Sequence, residues 1–258
     1  MDSLKVLFIG NSFAMDTAEH SVDVALSFGI NKVKIANLYV GGCSIDMHHE
    51  YAVYDLPAYK YYTNSGDGWS CEENYRISDA VISENWDYIV IQHGTSGKSR
   101  YTSPECYKNL TPLILYVKKI ASKNTKIAFN LTWMGEPTRQ HHEILSYGGD
   151  TQAMREKLVE VTKDQVLGNP YVDLLIPTGT AIENARTSNI GLLTRDCYHL
   201  SMDKGRYIAA LTLVSAVTGM SVENVSWKPA GVDEYALSVA KEAVNNALKY
   251  PLEITACT

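Results

Sequence analysis

The chain has 258 residues, 45% apolar and 20% charged, a composition typical of a folded globular protein rather than a disordered one. A net charge of −6, with no basic stripe, argues against nucleic acid as a partner. Since the apolar runs are only of strand length, we expect no membrane span. We expect a single domain over residues 1–258. No leader pattern precedes the first apolar run, so a cytoplasmic protein and an exported one whose leader was removed both stay open.

Five short apolar runs alternate with amphipathic segments along the chain. The predicted strands are Val6–Ile9, Val33–Val40, Tyr88–Gln92, Lys126–Leu131 and Val172–Ile176. The predicted helices are Asp16–Phe28, Ile77–Ser83, Pro104–Ser122, Thr151–Val166, Ala181–Thr187, Lys204–Val217 and Val232–Lys249. Because strand–helix–strand repeats give parallel strands joined by right-handed crossovers, we predict an α/β fold. We expect a three-layer α/β/α sandwich with a central, mostly parallel five-stranded sheet.

The segment Cys43–Arg76 is the least regular part of the chain and carries a turn signal at Asn64–Gly68. A long loop in a compact α/β chain is usually functional, so we expect this one to form a wall of a substrate site.

Neither cofactor nor metal is predicted. The five cysteines include no CxxC pair, which argues against a zinc site. Their wide spacing allows one or two disulfides, but free thiols in or near the core are favoured. The pairs His48-His49 and His141-His142 lack the carboxylate motif that accompanies histidine metal ligands. The first strand is not followed by the glycine fingerprint of a dinucleotide site.

Chemistry-bearing residues follow the predicted strands. Ser12 comes directly after the first strand, Gly41-Gly42 after the second, and Gln92–Ser96 at the end of the third. Asp196 and His199 come after the last strand and before a helix. Since ligands of open parallel sheets bind beyond the carboxyl ends of the strands, we expect these residues to face one crevice. Ser12 can serve there as a helix N-cap, as a nucleophile, or as both.

Four of these segments together resemble the sequence blocks of SGNH/GDSL-type hydrolases. They are Gly10-Asn11-Ser12-Phe13, Gly41-Gly42-Cys43-Ser44, Gln92–Ser96 and Asp196-Cys197-Tyr198-His199. The chain more closely resembles an uncharacterised bacterial branch, common in gut Bacteroidetes, over about Lys5 to Gly219. The features shared with that branch are Thr132-Trp133, Ile176–Ala181, Leu200-Ser201 and Gly205-Arg206-Tyr207. The resemblance implies a flavodoxin-like SGNH hydrolase fold.

The same resemblance implies a catalytic role for three residues. Ser12 would be the nucleophile, and His199 would be the base that activates it and then the acid that protonates the leaving alcohol. Asp196 would orient the imidazole and stabilise its charged form.

An oxyanion hole would combine the backbone N–H groups of Ser12 and Gly42 with one side-chain donor. The usual asparagine of the third block is missing here, and Ser96 occupies its position. Gln92, two residues before the glycine of that block, is the preferred donor and Ser96 the alternative. Asn11, Trp133 and His93 are candidates for lining the substrate site, although Asn11 can equally shape the turn and Trp133 can equally be a packed core residue.

The sequence therefore predicts a serine ester hydrolase that removes small acyl groups, such as acetyl, from a carbohydrate or another small molecule. One alternative is a short-chain lipase or thioesterase. Another is a catalytically silent glycan-binding module on the same fold. The oligomeric state is left open.

Overall fold

A computed structural model describes residues 1–93, 102–136 and 142–258, apart from the side chains of residues 142 and 143. Its centre is a mixed sheet of seven strands. They are β1 (Ser3–Gly10), β2 (Lys32–Tyr39), β3 (Tyr59–Asn64), β4 (Ser70–Tyr75), β5 (Tyr88–Ile91), β6 (Lys126–Asn130) and β7 (Leu174–Ile176). In space they follow the order β4-β3-β2-β1-β5-β6-β7.

The parallel strands β2, β1, β5, β6 and β7 end at one edge of the sheet. Gly10 pairs with Tyr39, Ile9 with Ile91, and Asn130 lies opposite Ile176. The chain runs from β1 outward to β2 and later returns to the other side of β1 as β5. A crevice for ligands is expected at this reversal, outside the carboxyl ends of the strands.

Helices cover both faces of the sheet. They are α1 (Ser12–Ala18), α2 (Ser21–Ser27), α3 (Ile45–Val53), α4 (Ile77–Ile82), α5 (Leu110–Ile120), α6 (His142–Leu145), α7 (Thr151–Thr162), α8 (Thr178–Arg186), α9 (Lys204–Thr218) and α10 (Glu234–Lys249). One apolar core contains buried residues of α1, α2, α8, α9 and α10. A second core contains those of α3, α4, α5 and α7. The predicted three-layer α/β/α architecture is confirmed.

The predicted strand number was wrong, because five strands were expected and seven are present. The error lies in Cys43–Arg76, which was interpreted as a loop and instead contains α3 and the antiparallel hairpin β3–β4. Tyr59 and Tyr61 are buried on β3, whereas β4 is almost entirely exposed. Polar edge strands lack the apolar runs that identified the central ones.

Several helix boundaries also differ from the predicted ones. The segment predicted as one helix, Asp16–Phe28, is divided between α1 and α2. The predicted helix Pro104–Ser122 consists of a 3-10 turn, Pro104–Tyr107, followed by α5. A second 3-10 turn spans Val222–Asn224, and a π-helical turn, Lys163–Leu167, extends α7.

None of the helices within the described ranges is long and apolar enough to cross a membrane. All five cysteines are free thiols.

Candidate active site

Ser12 lies at the turn that joins β1 to α1, at the carboxyl edge of the sheet. The side-chain oxygen of Asn11 accepts the Phe13 N–H at 3.0 Å, so Asn11, and not Ser12, caps α1. A Cβ on Gly10 would lie 2.4 Å from the Cβ of Ala14, and glycine therefore lets α1 begin directly against β1. Capping by Asn11 leaves the Ser12 hydroxyl for another partner.

Asp196 and His199 lie on the loop of residues 194–200, which precedes α9. An antiparallel bridge between Thr194 and Leu200 closes this loop. Within it, Asp196 Oδ1 accepts the backbone N–H groups of Tyr198 at 2.9 Å and His199 at 2.7 Å. The Asp196 carboxylate thus stabilises the backbone of its own loop, in addition to its contact with the imidazole.

A continuous chain of hydrogen bonds joins the three residues for which the resemblance implied catalytic roles. Asp196 Oδ2 accepts His199 Nδ1–H at 2.7 Å, and His199 Nε2 lies 2.9 Å from Ser12 Oγ. The imidazole side chain is 20% exposed, so a small molecule can reach the Ser12–His199 pair. With its Nδ1 proton held by a carboxylate, the imidazole presents Nε2 as an acceptor for the hydroxyl proton.

The electrostatics of the loop keep Asp196 ionised. Partial burial raises the pKa of the carboxyl, but the N–H groups of Tyr198 and His199 and the His199 side chain outweigh it and lower the pKa to about 2.

Trp133 contacts both the 194–200 loop and α1. Its Nε1–H donates to the Tyr198 carbonyl at 2.5 Å, and its ring packs against Phe13 with the centroids 4.9 Å apart. The ring of Tyr198 lies 4.4 Å from that of His199. Trp133 is buried, as are Asn11 and His93. That these three side chains line the substrate site stays a prediction.

A buried amide network lies beneath the Ser12 turn. Gln92 is fully buried, its Nε2 donates to Asn11 Oδ1 at 2.9 Å, and its Oε1 accepts Asn130 Nδ2 at 3.2 Å. These bonds make the Gln92 amide part of the floor beneath the Ser12 turn, and its role as an oxyanion donor stays a prediction. His93 also belongs to this floor, with its ring bonded to the Thr132 hydroxyl and its carbonyl 3.4 Å from Asn11 Nδ2.

The glycine turn after β2 is joined to the same floor. Asn11 Nδ2 donates to the Cys43 carbonyl at 3.0 Å, which places Gly42 beside the Ser12 turn. Gly42 has a φ of 65°, a left-handed conformation that favours glycine. Ser96, the alternative oxyanion donor, lies outside the described residues.

The comparisons with known proteins identify the family. A model of DUF4886, a domain of unknown function, matches residues 5–247. The chain belongs to the DUF4886 family. A crystal structure of a DUF4886 family protein from Bacteroides uniformis ATCC 8492 is similar to this chain, with a TM-score of 0.91, 32% identity and 98% of each chain covered.

Outside DUF4886, a solved structure of LAE5, an alpha/beta hydrolase enzyme from the metagenome of Lake Arreo, Spain, has a TM-score of 0.48 and 15% identity. It covers 83% of this chain and 94% of that one. No curated protein matches the chain.

This DUF4886 chain also holds residues beside the site that the sequence reasoning missed. Asp16, on α1, is fully buried and bonds to Arg195, Arg206 and the backbone of Leu200. Its spacing of four residues from Ser12 placed it on the same face of α1, and this was the one signal available in the sequence.

A second buried group follows the glycine turn. His48 Nδ1 lies 2.9 Å from the Tyr59 hydroxyl and 3.4 Å from Cys43 Sγ. Burial lowers the pKa of His48 to about 3 and raises that of Cys43. His48 is thus held neutral between α3 and β3.

Over the described part of the chain, no three His, Cys, Asp or Glu side chains could hold a metal ion together, and His141 lies outside that part.

Proposed function

We propose that this chain is a serine ester hydrolase of the SGNH type. The observation that carries the proposal is the hydrogen-bonded chain from Asp196 through His199 to Ser12, at the carboxyl edge of a parallel sheet. Its support in the sequence is the resemblance of the nucleophile, glycine and D-x-x-H blocks to those of SGNH hydrolases.

In the proposed mechanism, Ser12 Oγ attacks the ester carbonyl carbon while its proton passes to His199 Nε2. The resulting oxyanion accepts hydrogen bonds from the backbone N–H groups of Ser12 and Gly42. The Ser12 N–H has no partner within its helix, as is general for the first amides of a helix. Collapse of the tetrahedral intermediate expels the alcohol, which takes its proton from His199.

The second half of the reaction regenerates the protein. A water gives its proton to His199 Nε2 and attacks the acyl-Ser12 carbonyl carbon, and the carboxylic acid leaves as Ser12 Oγ recovers a proton. Asp196 keeps the imidazole oriented in both halves and stabilises its positive charge.

We propose acetyl esters on a carbohydrate as the substrate class, in line with the resemblance to the bacterial branch. A short-chain lipase or thioesterase uses the same residues and differs in the chain length that it accepts. A glycan-binding module without catalysis would keep the fold but have no turnover.

The test is hydrolysis of p-nitrophenyl acetate and p-nitrophenyl butyrate by the wild type and by Ser12→Ala. We expect Ser12→Ala to lose at least about 10³-fold in kcat, because the nucleophile is removed while binding is kept. Ser226→Ala, at an exposed position, is the matched control and should retain wild-type rates. Equal rates for wild type and Ser12→Ala would overturn the proposal.

Two further measurements define the reaction. Mass spectrometry of the acid-quenched reaction should find one acetyl group on Ser12. Release of acetate from acetylated polysaccharides would support the substrate class, whereas a clear preference for butyrate would favour the lipase or thioesterase. An absence of turnover on every ester, together with binding to glycans, would favour the silent module.

A further inference from the structure

Asp16 is a buried carboxylate one turn along α1 from Ser12. Its side chain has no exposed surface. Oδ1 accepts hydrogen bonds from Arg206 Nε at 2.8 Å and from Arg195 Nη1 at 3.0 Å. Oδ2 accepts the backbone N–H of Leu200 at 2.8 Å. The carboxylate therefore joins three parts of the chain: α1, the 194–200 loop and α9.

These contacts lie directly behind the Ser12–His199 pair. Ser12 and Asp16 are four residues apart and face the same side of α1, while His199 and Leu200 are neighbours on the loop. Two successive bonds thus connect helix and loop: Ser12 Oγ to His199 Nε2 at 2.9 Å, and Asp16 Oδ2 to Leu200 N at 2.8 Å. The second bond is made by the residue next to His199.

The two arginines give this connection its rigidity. Arg206 holds the carboxylate with both Nε and Nη2, each at 2.8 Å, from the first turn of α9. Arg195 also donates to the Leu200 carbonyl, so Asp16 and Arg195 together bind both backbone groups of Leu200. A neutral side chain of the same size cannot satisfy two guanidinium groups and an N–H.

We infer that Asp16 is a positioning residue, which holds His199 at hydrogen-bond distance from Ser12 by fixing the 194–200 loop to α1 through Leu200, Arg195 and Arg206. Asp16 does not touch the substrate and transfers no proton. Its kinetic consequence rests on the proposed function, whereas its geometric consequence does not.

A positioning role and a merely structural role differ in what they alter. A structural residue changes the stability of the protein and leaves the folded fraction fully active. A positioning residue lowers kcat in the folded protein and leaves KM alone, because the misplaced pair still receives substrate. A displacement of about 1 Å is enough for a loss of about 10²-fold in rate.

The experiment compares Asp16→Asn with Glu19→Gln. Glu19 pairs with the same Arg206, at 3.3 Å, from the partly exposed end of α1, so Glu19→Gln removes a carboxylate partner without touching the loop. For Asp16→Asn, confirmed as folded by circular dichroism, we expect kcat on p-nitrophenyl acetate to fall about 10²-fold with KM within about twofold. The rate at which a fluorophosphonate labels Ser12 should fall by a similar factor. For Glu19→Gln, kcat, KM and the labelling rate should all stay within about twofold of the wild-type values.

Arg195→Gln is the second variant, since the Arg195 side chain is 35% exposed and tolerates a polar replacement. If Asp16→Asn does not fold, a fall of about tenfold in kcat for folded Arg195→Gln supports the inference, and a rate within about twofold of the wild type overturns it. A folded Asp16→Asn with wild-type kcat, or one that loses kcat but keeps its labelling rate, also overturns it.

A crystal structure of Asp16→Asn separates this inference from the proposed function. Separation of Ser12 Oγ from His199 Nε2 beyond hydrogen-bond distance supports the positioning role even if the wild type hydrolyses no ester. An unchanged separation overturns it. Failure of the proposed function is detected independently, as equal rates of ester hydrolysis for Ser12→Ala and the wild type.

Discussion

At the scale of single residues, the neighbours Asn11 and Ser12 make different contacts in the turn after β1. Asn11 uses one amide to cap α1, to accept Gln92 and to donate to the Cys43 carbonyl, so it links the ends of three strands. Ser12 has none of these bonds and directs its hydroxyl to His199. The turn can therefore be rigid while the Ser12 hydroxyl keeps its bond to His199.

Asp196→Asn tests the orienting carboxylate. An amide that keeps the bonds from the Tyr198 and His199 N–H groups must turn its own NH₂ toward His199 Nδ1, which favours the wrong tautomer. We expect kcat to fall by about 10³–10⁴-fold with little change in KM. Asp67→Asn, in the exposed turn between β3 and β4, is the control and should keep the wild-type kcat.

The pH dependence of the wild type follows from the lowered pKa of Asp196. The stabilising interactions of this carboxylate are fully present above its unfolded pKa, about 3.9, and are lost as pH falls toward the folded value. That folded pKa is about 2. Asp196 therefore stays ionised between about pH 4 and 9. A fall of kcat/KM toward the acid end of this range must come from the protonation of a group other than Asp196. An acid limb that vanishes only in Asp196→Asn would contradict this.

The proximity of Ser12, Asp196 and His199 could be predicted from the sequence, because each of them lies in a recognisable block that follows a strand or precedes a helix. The contacts of Gln92 could not be predicted, since a polar residue at a strand end can face the crevice or the floor, and only its two buried amide bonds show that it joins the floor.

At the scale of elements, α3 and the hairpin β3–β4 form a unit that follows the glycine turn. Ser44 caps α3 by accepting the Met47 N–H at 3.3 Å, so the helix begins immediately after Gly42-Cys43. His48 packs on Tyr59 of β3 with the two rings nearly parallel, 5.7 Å between centroids. Contacts of this kind fix the position of the glycine turn. They cannot be predicted from a sequence segment of mixed polar residues.

His48→Gln tests this unit through the pH dependence of stability. His48 has a folded pKa of about 3, so below the unfolded value of about 6.5 the unfolded chain binds a proton that the folded chain rejects. The stabilising effect of the neutral imidazole is fully present above about pH 6.5 and decreases as pH falls toward 3. In the wild type, His48 should therefore lower the free energy of unfolding by up to about 1.4 kcal/mol for each unit that the pH falls within this range.

Urea denaturation at several pH values between about 4 and 7 measures the effect. His48→Gln should have a flatter slope than the wild type. His49→Gln, at the adjacent and partly exposed position, is the control and should keep the wild-type slope. Identical slopes for His48→Gln and the wild type would show that the buried imidazole is not held neutral.

At the scale of the whole molecule, the site depends on contacts between layers. The 131–136 segment after β6 supports the 194–200 loop from one side: Glu136 N donates to the Cys197 carbonyl at 2.7 Å, and Trp133 donates to Tyr198. That segment rests in turn on α8, where Gly179 N donates to the Leu131 carbonyl at 2.7 Å. The layer order was predictable from alternating strands and helices, whereas these cross-layer contacts depend on side-chain packing that periodicity does not encode.

Gly179→Ala tests this dependence across layers. A Cβ on Gly179 would lie 2.2 Å from the Thr132 carbonyl oxygen, a backbone atom that cannot rotate away. We expect α8 or the 131–136 segment to shift, lowering the free energy of unfolding by about 3 kcal/mol. Because Trp133 follows Thr132 directly and holds the 194–200 loop, kcat of the folded fraction should also fall, by about tenfold.

Gly41→Ala is the matched control for stability, since the same methyl group would meet only the Tyr39 hydroxyl, at 3.6 Å. Its free energy of unfolding should stay within about 1 kcal/mol of the wild type. If Gly179→Ala unfolds at lower urea but its folded fraction keeps the wild-type kcat, α8 supports the fold and not the site. If neither quantity changes, the close approach of α8 to the end of β6 does not exist in solution.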